Sequence, residues 1–286
     1  MPAGFVDELR SMLQKPEPCF LMQVHDGIST KVAQKAGFRG VWASSFGCST
    51  ALGLPDDDSM SPQEVLNYLR PILRASEVPV LVDGNCGFGS LDQSHVFLRS
   101  LVDLGAAGVC FEDKQYPKTN TFYSPSHPLR DKHGYCELIA DMYRNCRRDE
   151  LVLIARTEAL VTGEEVDAVI NRCEQYSKAG AEAIFVSWIA EDVTTLRLFI
   201  EAWSGRTPLL INPTTYLQSV PLLLTLKGVS VAVWANHNIR ACVRAMSSIC
   251  GTLLNLKTVN ADFVATVNRN MSSMSDIFEL IGYAKR

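Results

Sequence analysis

A chain of 286 residues, 47% apolar and 20% charged, is long enough for one barrel-sized domain or two average ones and has an ordinary globular composition. Its formal charge of −4, with no Lys/Arg block, excludes a general polyanion-binding surface, so no nucleic-acid partner is expected. No run of roughly 18 uninterrupted apolar residues occurs, so no membrane span is expected. The nearest, VPLLLTLKGVSVAVWA, is broken by Lys227 and Gly228.

The opening MPAGFVDELRSML places Asp7 and Glu8 where a signal peptide would be apolar. From there, short Val/Ile/Leu-rich runs alternate with amphipathic stretches of helical length. The runs are CFLMQV, GVWASS, VPVLVD, GVCFED, LVLIAR, AIFVSW, PLLINP and VSVAVWAN. They are apolar throughout rather than alternating, which suits parallel strands covered on both faces. After the second run, the segment STALGLPDDDSMSP carries Asp56, Asp57 and Asp58 and reads as a loop. One of these aspartates is expected to reach a substrate, and the others to be solvated or to cap the next helix.

That helix, SPQEVLNYLRPILRAS, opens with Ser61 and Glu64 as a capping box and Pro62 in its first turn. Pro71 predicts a kink. Ser90 with Gln93, and Thr162 with Glu165, predict two further boxed helix starts. The joins AGFRG, LGAAG and AGAEA repeat a glycine helix stop before a strand. About eight such units in one chain predict a single (β/α)8 barrel over residues 1–286, with an open doubly wound sheet as the alternative. Nine cysteines, an odd number with no CxxC pair, read as reduced and buried thiols of a cytoplasmic protein.

In a barrel of this kind, chemistry sits where strands end and βα loops begin. Those positions hold Ser44 and Ser45, Asp83, then Glu112, Asp113 and Lys114, then Arg156, Ser187, Asn212, and finally Asn236, His237 and Asn238. Carboxylates on neighbouring strands without a histidine pair favour a hard cation such as Mg2+, and Arg156 would grip a carboxylate or phosphate. VDGNCGFG lacks both the dinucleotide glycine spacing and the Walker lysine, so its glycines read as a turn. The stretch 113–131, with three prolines, two lysines and no helical period, is long enough to predict a gating loop. Of the histidines, His25 is placed to orient a strand-three group, and none is read as catalytic. A helical segment is expected from about residue 238.

Five stretches in this order, GFRGVWASSFGCSTALGLPD, LVDGNCGFGS, FEDKQYPKTNT, IARTEAL and VWANHNIRA, resemble the phosphoenolpyruvate mutase branch of the isocitrate lyase superfamily. The resemblance runs from about residue 18 to 250. It implies a barrel whose last helix is exchanged with a partner subunit, in a homotetrameric dimer of dimers. It also implies Mg2+-dependent interconversion of phosphoenolpyruvate and phosphonopyruvate, the step that makes a carbon–phosphorus bond for phosphonate biosynthesis. By matching motifs, Asp83 is the direct metal ligand, while Asn85 and Glu112 act through water. Asp56, Lys118 and Asn120 are the catalytic group, and Trp42, Ser44, Ser45, Phe46 and Arg156 bind substrate. The chain departs from the pattern at Asn85, where an aspartate is usual, at Val186, where mutases can place a histidine, and at Thr121, where serine follows the asparagine. Phosphonopyruvate hydrolases, which tend to carry threonine at position 120, are the nearest alternative. A 2-methylisocitrate-like lyase would need a catalytic cysteine where DKQYPK stands. A non-catalytic acid-binding member is the remaining alternative.

Overall fold

The computed structural model describes residues 4–147, 149–203, 206–254, 261–269 and 271–283. The chain opens with α1 (Gly4–Gln14), then β1 (Cys19–Val24), α2 (Gly27–Lys35), β2 (Val41–Ala43), α3 (Ser45–Ala51), α4 (Pro62–Ala75) and β3 (Val80–Asp83). It continues through α5 (Leu91–Leu104), β4 (Gly108–Glu112), α6 (Lys132–Asn145), β5 (Val152–Thr157), α7 (Val166–Ala179) and β6 (Ala183–Val186). The last part is α8 (Thr194–Trp203), β7 (Leu209–Ile211), α9 (Val220–Leu223), β8 (Val229–Trp234), α10 (His237–Leu254), α11 (Ala261–Arg269) and α12 (Met274–Leu280). The eight strands are parallel, each paired to the next, and β1 pairs with β8 to close the barrel. The expected (β/α)8 architecture is therefore the observed one. Among the described residues no helix is long and apolar enough to cross a membrane.

A strand points successive side chains to opposite faces, so each apolar run feeds two cores. In β3, Val80 and Val82 pack outward under the helices while Leu81 points into the barrel. In β4, Val109 and Phe111 go outward and Cys110 inward; in β5, Leu153 and Ala155 go outward and Val152 and Ile154 inward. The inner core continues down to Val6, Leu9, Met12 and Leu13 of α1, which seals the bottom of the barrel. The sequence pattern around the strands did not reveal this plug, because α1 stands outside the βα repeat.

The helix starts follow the capping rules in part. Ser61 and Glu64 form the full box at α4, which continues through Pro71. Ser90 caps α5 by accepting from the Gln93 amide, without the reciprocal bond from the Gln93 side chain. The Thr162–Glu165 box is not made: Thr162 donates its hydroxyl back to the Ala159 carbonyl, and Glu165 occupies the cap position without a side-chain bond. The segment after β2 is a loop only from Leu52 onward, because Ser44 caps the short α3 by accepting from the Gly47 amide. All nine cysteines are free thiols. Part of the expected C-terminal helical segment, residues 255–260, 270 and 284–286, lies outside the described residues; the remainder is α10, α11 and α12.

Candidate active site

The same period of two brings charge to one end of the barrel. Two residues beyond the inward Leu81, Cys110 and Ile154 stand Asp83, Glu112 and Arg156, inward again and at the C-terminal ends of their strands. Glu112 and Arg156 are register partners across β4 and β5. Gly84 lets the chain turn out of β3 here: an added Cβ would lie 2.6 Å from the Phe111 ring.

These side chains line a cavity of about 340 Å³ at the mouth, floored by Trp42 and Phe185, whose rings meet edge-on at 5.6 Å. Ser44, Ser45, Phe46, Asp56, Asp83, Glu112, Lys118, Asn120 and Arg156 all reach its wall, so nearly every residue singled out in the sequence converges on one place. Asn85 is the exception. It is buried behind the wall in a left-handed conformation (φ 52°), with its amide on Asp83 Oδ1 at 3.2 Å and its carbonyl accepting from the Glu112 amide at 2.8 Å. His25 does not orient a strand-three group: its ring meets Gln23 on its own strand, 3.3 Å away.

Lys118 is the hub. Its buried Nζ lies 3.0 Å from Asp56 Oδ1, 3.7 Å from Glu112 Oε1 and 2.9 Å from Ser45 Oγ, which in turn donates to Asp83 Oδ2 at 2.9 Å. Burial alone would lower the ammonium's pKa, but Asp56, Glu112 and Asp83 outweigh it and hold the group well above the ordinary lysine value. Burial likewise pushes the Asp56 and Glu112 carboxyls upward. Lys118 and Asn120 reverse this at Asp56, and Arg156 and the lysines reverse it at Glu112, leaving both below the usual range. Asp83 goes the other way, because burial is only partly offset by Lys118 and Arg156. The wall therefore sets Asp56 and Glu112, held low, and Asp83, held high, against the cations Lys114, Lys118 and Arg156, a differentiated set of the kind found at reactive sites.

Two further residues join the site: Lys114, which the strand-end reading placed at the end of the fourth strand, and Glu158, which it passed over. Glu158, two positions beyond Arg156 and hence on the same side of the chain, accepts from Arg156 Nε at 2.7 Å, from Ser187 Oγ at 2.6 Å and from Thr121 Oγ1 at 2.9 Å. Lys114 Nζ donates to Thr121 Oγ1 at 2.5 Å and to the Thr119 carbonyl at 2.8 Å. Arg156 also lies over the Phe185 ring, 5.4 Å from its centroid. The IARTEAL stretch carried the signal for Glu158 in its alternation Arg–Thr–Glu.

The segment between β4 and α6 folds over the mouth. Asn120 Nδ2 donates to Asp56 Oδ2 at 2.8 Å, and the base of the segment is tied by a bridge between Lys114 and Leu129. Tyr116 packs its ring on Gly89, where an added Cβ would lie 2.8 Å from it. Asp58 is not solvated: it accepts from the Lys118 amide at 3.0 Å and from Cys86 Sγ at 2.9 Å.

The site's fit to a divalent ion rests on three buried oxygens, Glu112 Oε1, Glu112 Oε2 and Asn85 Oδ1, which have no hydrogen-bond partner. The contacts of Glu112 with Arg156 and Lys118, at 3.4 and 3.7 Å, are longer than hydrogen bonds. Among the described residues no three histidine, cysteine or acidic side chains converge as a ligand cage. One carboxylate, Asp83, beside the unpartnered oxygens of Glu112 fits the donor set of Mg2+, which keeps several waters and takes few protein ligands.

Fold and site together define a (β/α)8-barrel enzyme with its polar machinery at the C-terminal mouth. A model of the phosphoenolpyruvate phosphomutase family matches residues 9–254, and the chain belongs to that family. It is 36% identical over 277 residues to the phosphoenolpyruvate phosphomutase of Streptomyces hygroscopicus, covering 96% of this chain and 87% of that protein. A crystal structure of phosphoenolpyruvate phosphomutase from Streptomyces platensis subsp. rosaceus superposes with a TM-score of 0.90 at 28% identity, covering 97% and 95% of the two chains. A phosphonopyruvate hydrolase solved with oxalate and Mg2+ superposes with a TM-score of 0.86, also at 28% identity, covering 99% and 95%.

Proposed function

We propose that the protein is a Mg2+-dependent phosphoenolpyruvate mutase, interconverting phosphoenolpyruvate and phosphonopyruvate. Asp83 would hold the ion directly, with Glu112 and Asn85 acting through water. When bound, the ion supplies positive charge to the carboxylate and enolate oxygens of the substrate. In the direction from the phosphonate, the bond from phosphorus to C3 breaks and its electron pair stays as the enolate of pyruvate. The phosphoryl group then bonds to the C2 oxygen, so no atom is gained or lost. The chain's own groups hold the pieces. Ser44, Ser45 and Phe46 at the start of α3 would face the carboxylate, with the Ser45 amide given to Asp83 Oδ2 and the Gly47 amide to Ser44 Oγ. Arg156, fixed by Glu158, and Asn120 face the phosphoryl oxygens as they flatten, and Asp56 stands beside the group in transit. Positioning and electrostatics dominate such transfers.

The observation that carries the mutase reading over hydrolysis is the bond from Asn120 to Asp56. It ties the segment to the β2 loop beside the cavity, which supports a site that keeps water from the phosphoryl group. Phosphorus NMR of the purified protein, started from phosphonopyruvate with Mg2+, is expected to show a phosphoenolpyruvate resonance. Free phosphate appearing with pyruvate would identify a hydrolase instead, and turnover indifferent to Mg2+ would refute the metal assignment.

The same resemblance extends to assembly. Of α10, only Ile239 is buried, while Val243, Met246, Leu253 and Leu254 are exposed. Such a face supports a last helix that packs on a partner barrel within a dimer of dimers. Sedimentation should give about four times the chain mass of 31.6 kDa; a monomer would remove that assignment.

A further inference from the structure

Asp58 carries costs that its local surroundings do not explain. It sits in the left-handed region at φ 60°, where a side chain other than glycine is strained. Its carboxylate is largely buried, and Oδ1 has no hydrogen-bond partner. It does not cap α4, a task Ser61 performs, and it forms no ion pair with a strand end. Its other oxygen has two donors, and both belong to other loops. The Cys86 thiol comes from the turn after β3, at 2.9 Å, and the Lys118 amide from the segment after β4, at 3.0 Å.

We infer that Asp58 is a positioning residue, a latch that fixes the backbone of Lys118 and so holds the segment over the mouth. The amide it grips belongs to the residue whose ammonium meets Asp56, Glu112 and Ser45. It lies two residues before Asn120, which is itself held by Asp56. The segment is thus fastened to the β2 loop at two points, one through side chains that face the cavity and one through a backbone amide behind it. Cys86 orients the free end of the latch from the third loop. Bonds to an ionised acceptor are stronger than neutral ones, which suits a carboxylate rather than an amide at this position.

The latch itself rests on geometry, whereas its effect on product rests on the mutase reading, and one experiment separates the two. Hydrogen–deuterium exchange is followed by mass spectrometry on the full chain, comparing peptides spanning 114–124 with peptides from β3 and β5. Asp58→Gly removes the carboxylate and also relieves the left-handed backbone, so it spares the fold. It should speed exchange in 114–124 by roughly ten- to a hundredfold, the scale of one charged hydrogen bond, with β3 and β5 unchanged. Asp58→Asn should fall between this variant and the parent, and Cys86→Ala should have a smaller effect. Unchanged exchange in 114–124, or a rise shared equally by β3 and β5, would overturn the latch. With phosphonopyruvate, Asp58→Gly should raise the ratio of free phosphate to phosphoenolpyruvate at least severalfold. Faster exchange with an unaltered ratio would leave the latch standing and overturn the part the segment plays in excluding water.

Discussion

The two halves of the barrel mouth differ sharply in chemistry. From β2 to β5 the wall carries Asp56, Asp83, Glu112, Glu158, Lys114, Lys118 and Arg156; from β6 to β8 it carries Ser187, Asn212, Thr214, Thr215 and Asn236, with Arg240 at the rim. The charged half is also the half over which the β4–α6 segment closes. The other half, neutral apart from Arg240, has no carboxylate among the described lining residues. The difference indicates where each task lies. Under the proposed function, charge would rearrange beneath the segment, beside Asp83 and Arg156, while the opposite wall would give shape and hydrogen bonds to the substrate.

The largest effect should come from striking the charged half at its centre. Asp83→Asn keeps the shape of the side chain and removes the charge. It should lower kcat/KM for phosphonopyruvate by about a thousandfold or more, the scale of losing a principal electrostatic contact, with Mg2+ binding lost in calorimetric titration. A variant that keeps near-parental turnover would place the ion elsewhere. A smaller change is expected from Asn85→Asp, which adds negative charge behind the same wall. The Mg2+ activation midpoint should fall by roughly threefold to tenfold, because ligand charge tunes such sites. Urea titration should show a loss of about 1–3 kcal/mol from burying a charge at a position whose oxygen has no hydrogen-bond partner. An unchanged midpoint would show that position 85 does not face the ion.

The neutral half should respond least. Thr214 Oγ1 is buried without a partner, so Thr214→Val removes an unsatisfied oxygen at nearly constant shape. Turnover should stay within about threefold, and stability should rise by about 1 kcal/mol, read as a melting-temperature gain of a few degrees. A large drop in kcat here would mean that the hydroxyl turns to meet the substrate, and the contrast between the halves would have to be redrawn.

Asp83, Glu112 and Arg156 were legible because they end apolar runs at the same end of a repeated unit, and a strand's alternation settles which way they point. Asp56 and Asn120 lie on loops without periodicity; only the resemblance singled them out, and tertiary contact joined them across 64 positions of chain. Asp58 was read as solvated or as a cap for the next helix. Its burial depends on the Lys118 amide, 60 positions away, and no local pattern encodes that. Glu158 was missed although its signal was present, since the strand was taken to stop at Arg156 and β5 runs to Thr157. The Thr162 box failed because its hydroxyl had a nearer acceptor in the preceding turn, a competition that side-chain identity alone does not decide. The bottom plug was invisible for a simpler reason. An amphipathic helix of 11 residues announces an apolar face, but not which surface it will cover.

That plug has a consequence for traffic. With Trp42 and Phe185 as a floor, and α1 packed beneath the inner core, the barrel is a cul-de-sac rather than a corridor. Arrivals and departures share a single doorway, so one molecule must vacate before the next is admitted. If the segment between β4 and α6 gates the mouth, as the proposed function supposes, each turnover would wait on it twice, and an inert acid lodged in the entrance would block exit as effectively as entry.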